Sequence, residues 1–355
     1  MRILHTADIH LESSFVKLAP SQVKERKEEL FLVLSRMIEE ASRMGCRAVI
    51  IAGDLFDTER ITKRAAERVT NLIERHPEMD FLYLRGNHEG EAFINKIDRK
   101  PDNLRIFSDG WSSFDYGDTV IWGRNIPSPT MFSELTVDRD KKNIVVLHGA
   151  VVDHATSGEE ISLSEASRRG IDYIALGHYH SYTEYRIDER CSAVFCGSPE
   201  GRGFDEPGEH GFVLIDTDSS PVGYRFCPAA KRRIRIVKVD ISGLERRLDI
   251  EDAIADALAG IAPTDLVRIL IVGERPPELY ADRDAILQRW QSRFYYLELK
   301  DESKMKIDPM KYAYDKTLKG EFIRLVSSRT DIDEEARDRV IRLGIRALLG
   351  DDLEI

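Results

Sequence analysis

Short apolar runs alternate with amphipathic segments over about the first 200 residues of the chain. Each apolar run is followed by a loop rich in Asp, His, Asn or Gly, which is typical of a strand that ends at a sheet edge. We predict strands at residues 2–6, 48–52, 81–84, 120–123, 143–147, 173–176 and 193–196. Amphipathic spacing predicts helices at residues 21–44, 62–74 and 164–169. Strands that alternate with helices predict an α/β fold, in which helices cover a β-sheet core.

The pattern changes near residue 230. Alternating apolar positions predict a strand at 232–241, and a short strand-helix-strand-helix-strand unit continues with helices at 249–259 and 282–290 and strands at 267–272 and 295–300. Two further helices are predicted at 315–328 and 333–349, and their apolar positions need a surface to pack on. We therefore divide the chain into a first domain at residues 1–230, a small α/β domain at 231–303 and a helical segment at 304–355.

Composition limits the classes of protein that this chain can belong to. Its 355 residues carry a net charge of −11, which predicts weak binding of nucleic acid by the isolated chain unless local patches, metal ions or a basic partner compensate. No apolar run is long enough to span a bilayer, and the N-terminus lacks the pattern of a signal peptide, so we expect a cytoplasmic protein. The four cysteines are scattered without a CxxC pair, which indicates free thiols in a reducing compartment.

Potential metal ligands follow five of the predicted strands. The clusters are Asp8-Ile9-His10, Gly53-Asp54-Leu55-Phe56-Asp57, Gly86-Asn87-His88-Glu89, His148-Gly149 and Gly177-His178-Tyr179-His180. Ligands of open α/β sheets bind beyond the carboxyl ends of the strands, so we expect these clusters to meet in one crevice at the rim of a sheet. Any one cluster alone would fit an ordinary turn or a hydrogen-bonded histidine. Their shared position favours a metal centre.

The residue types in these clusters indicate which metal chemistry to expect. Carboxylates and imidazoles suit Mn²⁺, Fe or Zn²⁺, and no cysteine lies among them. A pair of ions needs a bridging carboxylate, for which we choose Asp54 beside the small Gly53. His178 and His180 project to the same side if the backbone between them stays extended. The other histidines are interpreted as structural: His5, His76, His154 and His210.

The ordered set DxH, GDxxD, GNH, H and GHxH resembles the calcineurin-like metallophosphoesterase superfamily over about residues 1–200. Within it, three segments resemble the SbcD-type DNA-repair nucleases: residues 2–11, residues 52–57, and Gly197-Ser198-Pro199 followed by Arg202-Gly203-Phe204. The resemblance implies a four-layer α-β-β-α sandwich for the catalytic domain, a small α/β capping domain that helps to hold DNA, and a C-terminal helical tail.

The resemblance also implies roles for individual residues. One ion would be bound by Asp8, His10, Asp54 and His180, and the other by Asp54, Asn87, His148 and His178. His88 would be the catalytic residue, facing the scissile phosphate and assisting the leaving group. We expect two divalent ions, with Mn²⁺ as the first choice and Fe or Zn²⁺ as alternatives. Two positions depart from the pattern of relatives: Glu89 stands where Asp is usual, and Asp57 stands where archaeal and eukaryotic relatives often carry His.

These features together predict a metal-dependent DNA nuclease that hydrolyses phosphodiesters in double-strand-break repair. An exonuclease and an endonuclease stay equally open. The resemblance implies DNA and an SMC-like coiled-coil ATPase of the SbcC type as partners, together with a homodimer, and no membrane partner is expected. One alternative is another metallophosphoesterase, a nucleotide phosphodiesterase or a phosphatase, which the acidic charge favours. Another is a non-catalytic scaffold that recruits an ATPase.

Two segments outside the clusters keep alternative interpretations. The C-terminal helices at 315–328 and 333–349 either dock on the ATPase or pack back on the small domain. A basic run either contacts DNA phosphates or forms a solvated linker. The run consists of Lys231, Arg232, Arg233 and Arg235.

Overall fold

The structure is a computed structural model that describes residues 1–15, 18–276, 279, 281–307 and 309–349. The chain divides into two compact units, Met1–Ile234 and Arg235–Ile355. No helix in the described ranges is both long enough and apolar enough to cross a membrane.

The first unit is built on two six-stranded sheets. Its strands in chain order are β1 (Arg2–Thr6), β2 (Cys46–Ala52), β3 (Asp80–Leu84), β4 (Leu104–Ile106), β5 (Ser112–Asp115), β6 (Thr119–Gly123), β7 (Lys142–His148), β8 (Ala150–Val152), β9 (Glu160–Ser162), β10 (Tyr173–Gly177), β11 (Thr183–Arg186), β12 (Ser192–Phe195), β13 (Gly211–Asp216) and β14 (Gly223–Pro228). Its α-helices are α1 (Pro20–Arg43), α2 (Lys63–Glu74), α3 (Ala92–Lys96) and α4 (Met131–Glu134).

The strand orders place parallel strands at the centre of both sheets. The first sheet runs β14-β13-β1-β2-β3-β4, and the second runs β11-β12-β10-β7-β6-β5. Strands β1 to β4 are parallel, and β13 joins them antiparallel to β1. In the second sheet β6, β7, β10 and β12 are parallel. The carboxyl ends of the central strands therefore lie together at one edge of each sheet.

Alternation of side chains along the strands produces the layers. Leu4 of β1 packs with residues of α1 and α2, such as Leu34 and Val69, on the outer face of the first sheet. Its neighbour Ile3 points the other way and packs with Val146 of β7 in a core between the two sheets. A third core covers the outer face of the second sheet, where α4 contributes Phe132. The predicted α/β sandwich with two β layers is confirmed.

One local prediction for this unit is corrected, and other elements were missed. The helix predicted at 164–169 is only a short 3-10 helix at Leu163–Ala166, because the chain turns at once to an extended conformation at Ser167 and to a positive φ at Arg168. Strands β13 and β14 were not predicted, although β13 pairs with β1 and completes the first sheet.

The second unit contains a small sheet of three strands and a helical hairpin. Its elements are β15 (Ile234–Asp240), α5 (Arg247–Ala257), β16 (Leu266–Val272), β17 (Glu274–Arg275), α6 (Arg283–Trp290), β18 (Tyr296–Asp301), β19 (Lys304–Met305), α7 (Leu318–Ser327) and α8 (Glu334–Leu349). The sheet order is β15-β16-β18, and β16 and β18 are parallel. Ile254 of α5 and Ile286 of α6 pack against Ile269 of β16 in one core. The predicted order of strands and helices is present.

Helices α7 and α8 form a hairpin with its own apolar cluster. Helix α7 begins later than predicted, because the Thr317 hydroxyl accepts a hydrogen bond from the N–H of Gly320 and caps the helix there. Ile323 and Val326 of α7 cluster with Ile345 of α8. Residues 350–355 of the predicted helical segment lie outside the described residues. The division at residues 303 and 304 stays a prediction.

Candidate metal centre

The polar clusters come from the ends of both sheets rather than from the rim of one sheet. Three clusters follow β1, β2 and β3 of the first sheet, and two follow β7 and β10 of the second. Backbone hydrogen bonds join the first two clusters, from Asp8 N to Gly53 O at 3.1 Å and from His10 N to Asp54 O at 3.0 Å. The expectation of a single sheet rim was wrong, because the apolar pattern cannot tell which strands share a sheet.

Tight backbone conformations mark the site. Asp8, His10 and Asp54 have φ values of 51°, 49° and 50°, in the left-handed region that residues other than glycine seldom adopt. Such conformations persist where the surrounding structure holds them, often at functional sites. A side chain at Gly53 would collide with the His148 ring, and one at Gly86 would collide with the Asp54 carboxylate. These two glycines therefore permit the close approach of the clusters.

His178 departs from the predicted geometry. Its φ of 113° breaks the extended backbone, so the condition for a shared projection of His178 and His180 is not met. The His178 ring lies edge-on to His148, with ring centroids 5.4 Å apart. The His180 ring lies edge-on to His10 at 4.9 Å. The two histidine rings thus contact different partners, His178 with His148 and His180 with His10.

The first group of potential ligands consists of Asp8, His10 and His180. One ligand atom from each lies within 4.8 Å of the others. Nε2 of His10 and Nε2 of His180 are 3.1 Å apart. Both Asp8 oxygens also accept a hydrogen bond from the backbone N–H of His178 at 3.0 Å, which fixes the carboxylate.

The second group consists of Asp8, Asp54 and His148, with Asn87 beside it. Nδ1 of His148 lies 2.9 Å from the carbonyl oxygen of Ala52, which assigns the proton to Nδ1 in the neutral ring. Nε2 then presents a lone pair to Asn87 Oδ1 at 2.9 Å and to Asp54 Oδ2 at 3.3 Å. A lone pair that faces two oxygens calls for a proton or a cation between them.

The spacing of these atoms fits ions. Ligand atoms that each lie about 2.1 Å from one ion are roughly 3–3.4 Å apart, and the contacts of His10 with His180 and of His148 with Asp54 lie in this range. Asp54 Oδ2 is also 3.8 Å from His10 Nε2, so this carboxylate lies between the two groups. The donor set of the two groups fits two divalent ions.

The pKa shifts of His148 and Asp54 agree with a site that binds a cation. Burial alone would lower the pKa of His148, but the hydrogen bond to Asp54 and the charges of Asp8 and Asp54 raise it to about 9. Burial would raise the pKa of Asp54, but His148 and His10 hold it below its usual range. The pocket therefore favours a cationic occupant over a neutral one.

His88 lies at the exposed rim of the site. Its backbone N–H donates to Asp54 Oδ1 at 3.1 Å, and its ring is edge-on to His10 with centroids 5.0 Å apart. Nδ1 of His88 is 3.1 Å from the carbonyl oxygen of Asp57. Ligand atoms of His10, Asp57 and His88 also lie within 4.8 Å of one another. His88 is thus adjacent to the first group and accessible to a substrate.

Glu89 and Asp57, the two departures from the family pattern, both contact segments that carry ligands. Both carboxylate oxygens of Glu89 accept backbone hydrogen bonds, from Leu55 N at 3.1 Å and from Phe56 N at 2.9 Å. Burial raises the pKa of Glu89 to about 7, against the opposing effect of these bonds and of Tyr83. Asp57 Oδ1 lies 3.1 Å from Nδ1 of His10, on the imidazole nitrogen that does not face His180. Both carboxylates therefore support the ligands.

Glu206 was missed by the sequence analysis, and Arg202 was noticed only as part of a motif. Glu206 is buried, and its Oε1 lies 2.8 Å from Nδ1 of His180. Arg202 forms ion pairs with both Asp57 and Glu206. No spacing rule identifies Glu206, because it lies in the irregular segment between β12 and β13 and two strands separate it from its partner His180.

A cavity of about 580 Å³ opens beside the second group. Asn87, His148 and His178 line its inner end, and Ile126 and Pro127 contribute an apolar wall. Arg85 also lines the cavity, but its guanidinium is already paired with Glu91 and Asp109.

The remaining histidines and the basic run lie outside the site. His5 Nδ1 contacts the Tyr173 hydroxyl at 3.0 Å in the core, and His210 contacts Ser198. Each residue of the basic run forms an ion pair within its own unit: Lys231 with Glu29, Arg232 with Glu29 and Glu25, Arg233 with Glu209, and Arg235 with Asp265. Arg232 is buried rather than solvated, and contact of the run with DNA stays a prediction. All four cysteines are free and buried.

This chain belongs to the calcineurin-like phosphoesterase family, whose model matches residues 1–182. The predicted superfamily resemblance is therefore confirmed.

Relatives of the chain include a metallophosphoesterase and DNA repair proteins. The uncharacterized metallophosphoesterase YhaO of Bacillus subtilis is 23% identical over 78% of this chain and 72% of its own length. The DNA double-strand break repair protein Mre11 of Saccharolobus solfataricus is 22% identical over 97% of this chain and 94% of its own length. Mre11 of Methanosarcina acetivorans is 27% identical over 69% of this chain but only 41% of its own length.

Two solved structures align with the first part of the chain. TT1561 of Thermus thermophilus gives a TM-score of 0.42 at 11% identity, over 63% of this chain and 98% of its own. A dimetal phosphatase from Danio rerio gives a TM-score of 0.37 at 10% identity, over 61% of this chain and 92% of its own.

Proposed function

We propose that this chain is a metal-dependent DNA nuclease that hydrolyses phosphodiesters in double-strand-break processing. The observation that carries the proposal is the position of Asp54, whose carboxylate lies 3.3 Å from His148 and 3.8 Å from His10. A carboxylate between two groups of ligands is what a pair of ions acting on one phosphate requires.

The proposed ligands are those that the sequence resemblance implies: Asp54 would be shared, Asp8, His10 and His180 would complete one position, and Asn87, His148 and His178 would complete the other. The two groups of ligand atoms support this set in part, since they bring together Asp8, His10 and His180, and Asp8, Asp54 and His148. Mn²⁺ is our first choice, and Fe and Zn²⁺ remain alternatives, since imidazole and carboxylate ligands suit all three.

The chain's own residues then prepare the phosphate ester for cleavage. Bound ions supply charge neutralisation and an activated water. The carbonyl oxygen of Asp57 accepts a hydrogen bond from Nδ1–H of His88 and orients the ring, so that Nε2 faces the rim and, in the imidazolium form, carries the proton that passes to the departing oxygen. The N–H of His88 donates to Asp54, which fixes the distance between the proposed acid and the proposed bridge.

DNA as the substrate rests on the relatives and on the second unit. Several relatives are named as DNA double-strand break repair proteins Mre11. The small α/β sheet at residues 231–303 is proposed as a cap over DNA, and the helical hairpin is proposed to dock on a coiled-coil ATPase of the SbcC type. That partner would compensate for the net charge of −11. The homodimer and the cytoplasmic location remain predictions.

The test compares substrates with one preparation of the full chain. Linear double-stranded DNA, bis-p-nitrophenyl phosphate and cyclic nucleotides are incubated with Mn²⁺, with and without the candidate ATPase, and Asp54→Asn serves as the inactive control. We expect cleavage of DNA and of the small diester by the wild type. Hydrolysis of the small esters without any cleavage of DNA, even with the ATPase, would contradict the nuclease.

A second candidate is a phosphodiesterase or phosphatase that acts on nucleotides. The cavity beside the second group favours it, because an apolar wall at Ile126 and Pro127 suits a nucleoside. Arg85 also lines the cavity, but its guanidinium is paired with Glu91 and Asp109. In the same assay this candidate predicts that cyclic nucleotides are cleaved faster than DNA.

A further inference from the structure

A second layer of charged side chains lies behind the first group of ligands. Asp57 Oδ1 is 3.1 Å from Nδ1 of His10, and Glu206 Oε1 is 2.8 Å from Nδ1 of His180. In both rings the carboxylate faces the nitrogen opposite the one that enters the site. Asp57 and Glu206 therefore place negative charge against Nδ1 of the two rings, while the two Nε2 atoms face each other at 3.1 Å.

One residue joins the two carboxylates. Arg202 Nη1 donates to Asp57 Oδ1 at 2.7 Å, and Arg202 Nη2 donates to Glu206 Oε1 at 3.0 Å. The backbone N–H of Arg202 donates to the other oxygen of Glu206 at 2.9 Å. The planar fork of a guanidinium can hold two carboxylates at a fixed separation, which a lysine ammonium cannot do. The orientations of His10 and His180 thus depend on the same side chain.

Arg202 is itself anchored from the core of the first unit. The fully buried Arg26 of α1 donates to Glu200 Oε1 at 2.8 Å and to the carbonyl oxygen of Gly201 at 2.6 Å. These bonds fix the backbone directly before Arg202. The guanidinium therefore projects from a held segment rather than from a free loop.

The second group of ligands is oriented in a different way. Nδ1 of His148 is engaged by the backbone carbonyl of Ala52 at 2.9 Å, which belongs to β2. No charged side chain is needed to orient this ring. Removing Arg202 should therefore disturb one group and leave the other in place.

We propose that Arg202 is a positioning residue. It holds Asp57 and Glu206 against His10 and His180. It thereby sets the metal affinity of the position formed by Asp8, His10 and His180, and not that of the other position. The inference rests on the dimetal site proposed above and adds an asymmetry to it. Loss of an outer partner of a metal-binding histidine typically weakens metal binding about 10–100-fold. We expect a loss of this size at one position and none at the other.

The test is a Mn²⁺ titration of metal-free full-length protein, followed by electron paramagnetic resonance and by metal content after gel filtration. Wild type should bind two equivalents and develop the signal of a coupled pair. Arg202→Met should bind the first equivalent normally and the second about 10–100-fold more weakly, so that the signal of a single ion persists. Arg233→Met, which removes an exposed ion pair with Glu209 in the same unit, is the matched control and should behave as wild type.

Two further variants make the test independent of any folding defect in Arg202→Met. Glu206→Gln and Asp57→Asn each remove one carboxylate charge, and each should weaken the same single equivalent. If these variants bind both ions as wild type does, or lose both equally, the inference is wrong. If the wild type itself does not bind two ions, the proposed metal centre is wrong. If the wild type and Arg202→Met both bind two ions tightly, only the proposed role of Arg202 is wrong.

Discussion

Oδ2 of Asp54 lies 3.3 Å from Nε2 of His148, although Asp54 follows a strand of the first sheet and His148 ends a strand of the second. The contact joins the two halves of the candidate site across the sandwich. Asp54 also accepts a hydrogen bond from the N–H of His88. A change at this one carboxylate should therefore affect both groups of ligands and the rim residue together.

Asp54→Asn should lose both bound ions and almost all activity. An amide keeps the size of the side chain but removes the charge that a shared ligand supplies, so the loss should exceed the about 10–100-fold effect of an outer partner. Metal content after gel filtration and hydrolysis of bis-p-nitrophenyl phosphate with Mn²⁺ measure both effects. Asp118→Asn, at an exposed carboxylate of the same unit, is the control. Normal occupancy of both positions in Asp54→Asn would contradict the bridging role.

His88→Ala should separate catalysis from metal binding. His88 lies at the rim and is proposed to donate a proton, a contribution worth about 10²–10⁴-fold in rate. We expect kcat to fall by this factor while both ions remain bound. His76→Ala removes a histidine that pairs with Glu78 in a distant turn and should leave kcat unchanged. Full activity in His88→Ala would exclude it as the acid, and loss of metal would make it a ligand instead.

Much of the site could be predicted from the sequence because its residues follow apolar strands. The apolar runs ending at Thr6 and Ala52 placed Asp8 and Asp54 at strand ends, and glycines such as Gly53 indicated the close approach that the structure contains. These signals are local. They depend on side-chain alternation and on steric limits within a few residues.

The remaining features depend on contacts between distant segments. Pairing of β13 with β1 joins residues more than two hundred positions apart, so no local pattern indicates the sheet order. The positive φ of His178 is imposed by the tertiary structure, and it separates a pair of histidines that an extended strand would keep together. Glu206 reaches His180 from the segment that follows β12, a contact that no local pattern indicates.

The buried ion network around Glu29 predicts how stability depends on pH. Burial would raise the pKa of Glu29, but hydrogen bonds from Arg232 and Lys231 and the charge of Arg26 lower it to about 2. A carboxyl whose folded pKa is depressed stabilises the fold above its unfolded pKa of about 4.5. That stabilisation is lost as the pH falls from about 5 towards about 2.

Glu29→Gln should therefore be less stable at neutral pH and less sensitive to acid. Removing one member of a buried ion network leaves charges uncompensated, and we expect a loss of about 3 kcal/mol. Urea unfolding followed by circular dichroism between pH 7 and pH 3 measures the difference, and Glu39→Gln on the exposed side of α1 is the control. Parallel pH profiles for Glu29→Gln and wild type would show that the network does not contribute as proposed.

The helical hairpin leaves an apolar surface for the proposed ATPase contact. Leu318 and Leu325 of α7 are 69% and 66% exposed, and their spacing of seven residues puts them on one face of the helix. Residues such as Ile323 and Ile345, in contrast, are buried in the hairpin's own cluster. Exposed leucines on one face are suited to pack against the apolar seam of a coiled coil.

Leu318→Glu combined with Leu325→Glu should abolish co-purification with the candidate ATPase, because two carboxylates cannot be buried in an apolar contact without a large cost. Hydrolysis of bis-p-nitrophenyl phosphate and the melting temperature should not change, since neither leucine belongs to the buried cluster. Leu248→Glu, at a leucine of α5 that is 63% exposed, is the matched control and should keep the complex. If the double variant still binds the ATPase as tightly as Leu248→Glu does, this face of α7 is not the docking surface, and the coiled coil must contact another part of the chain.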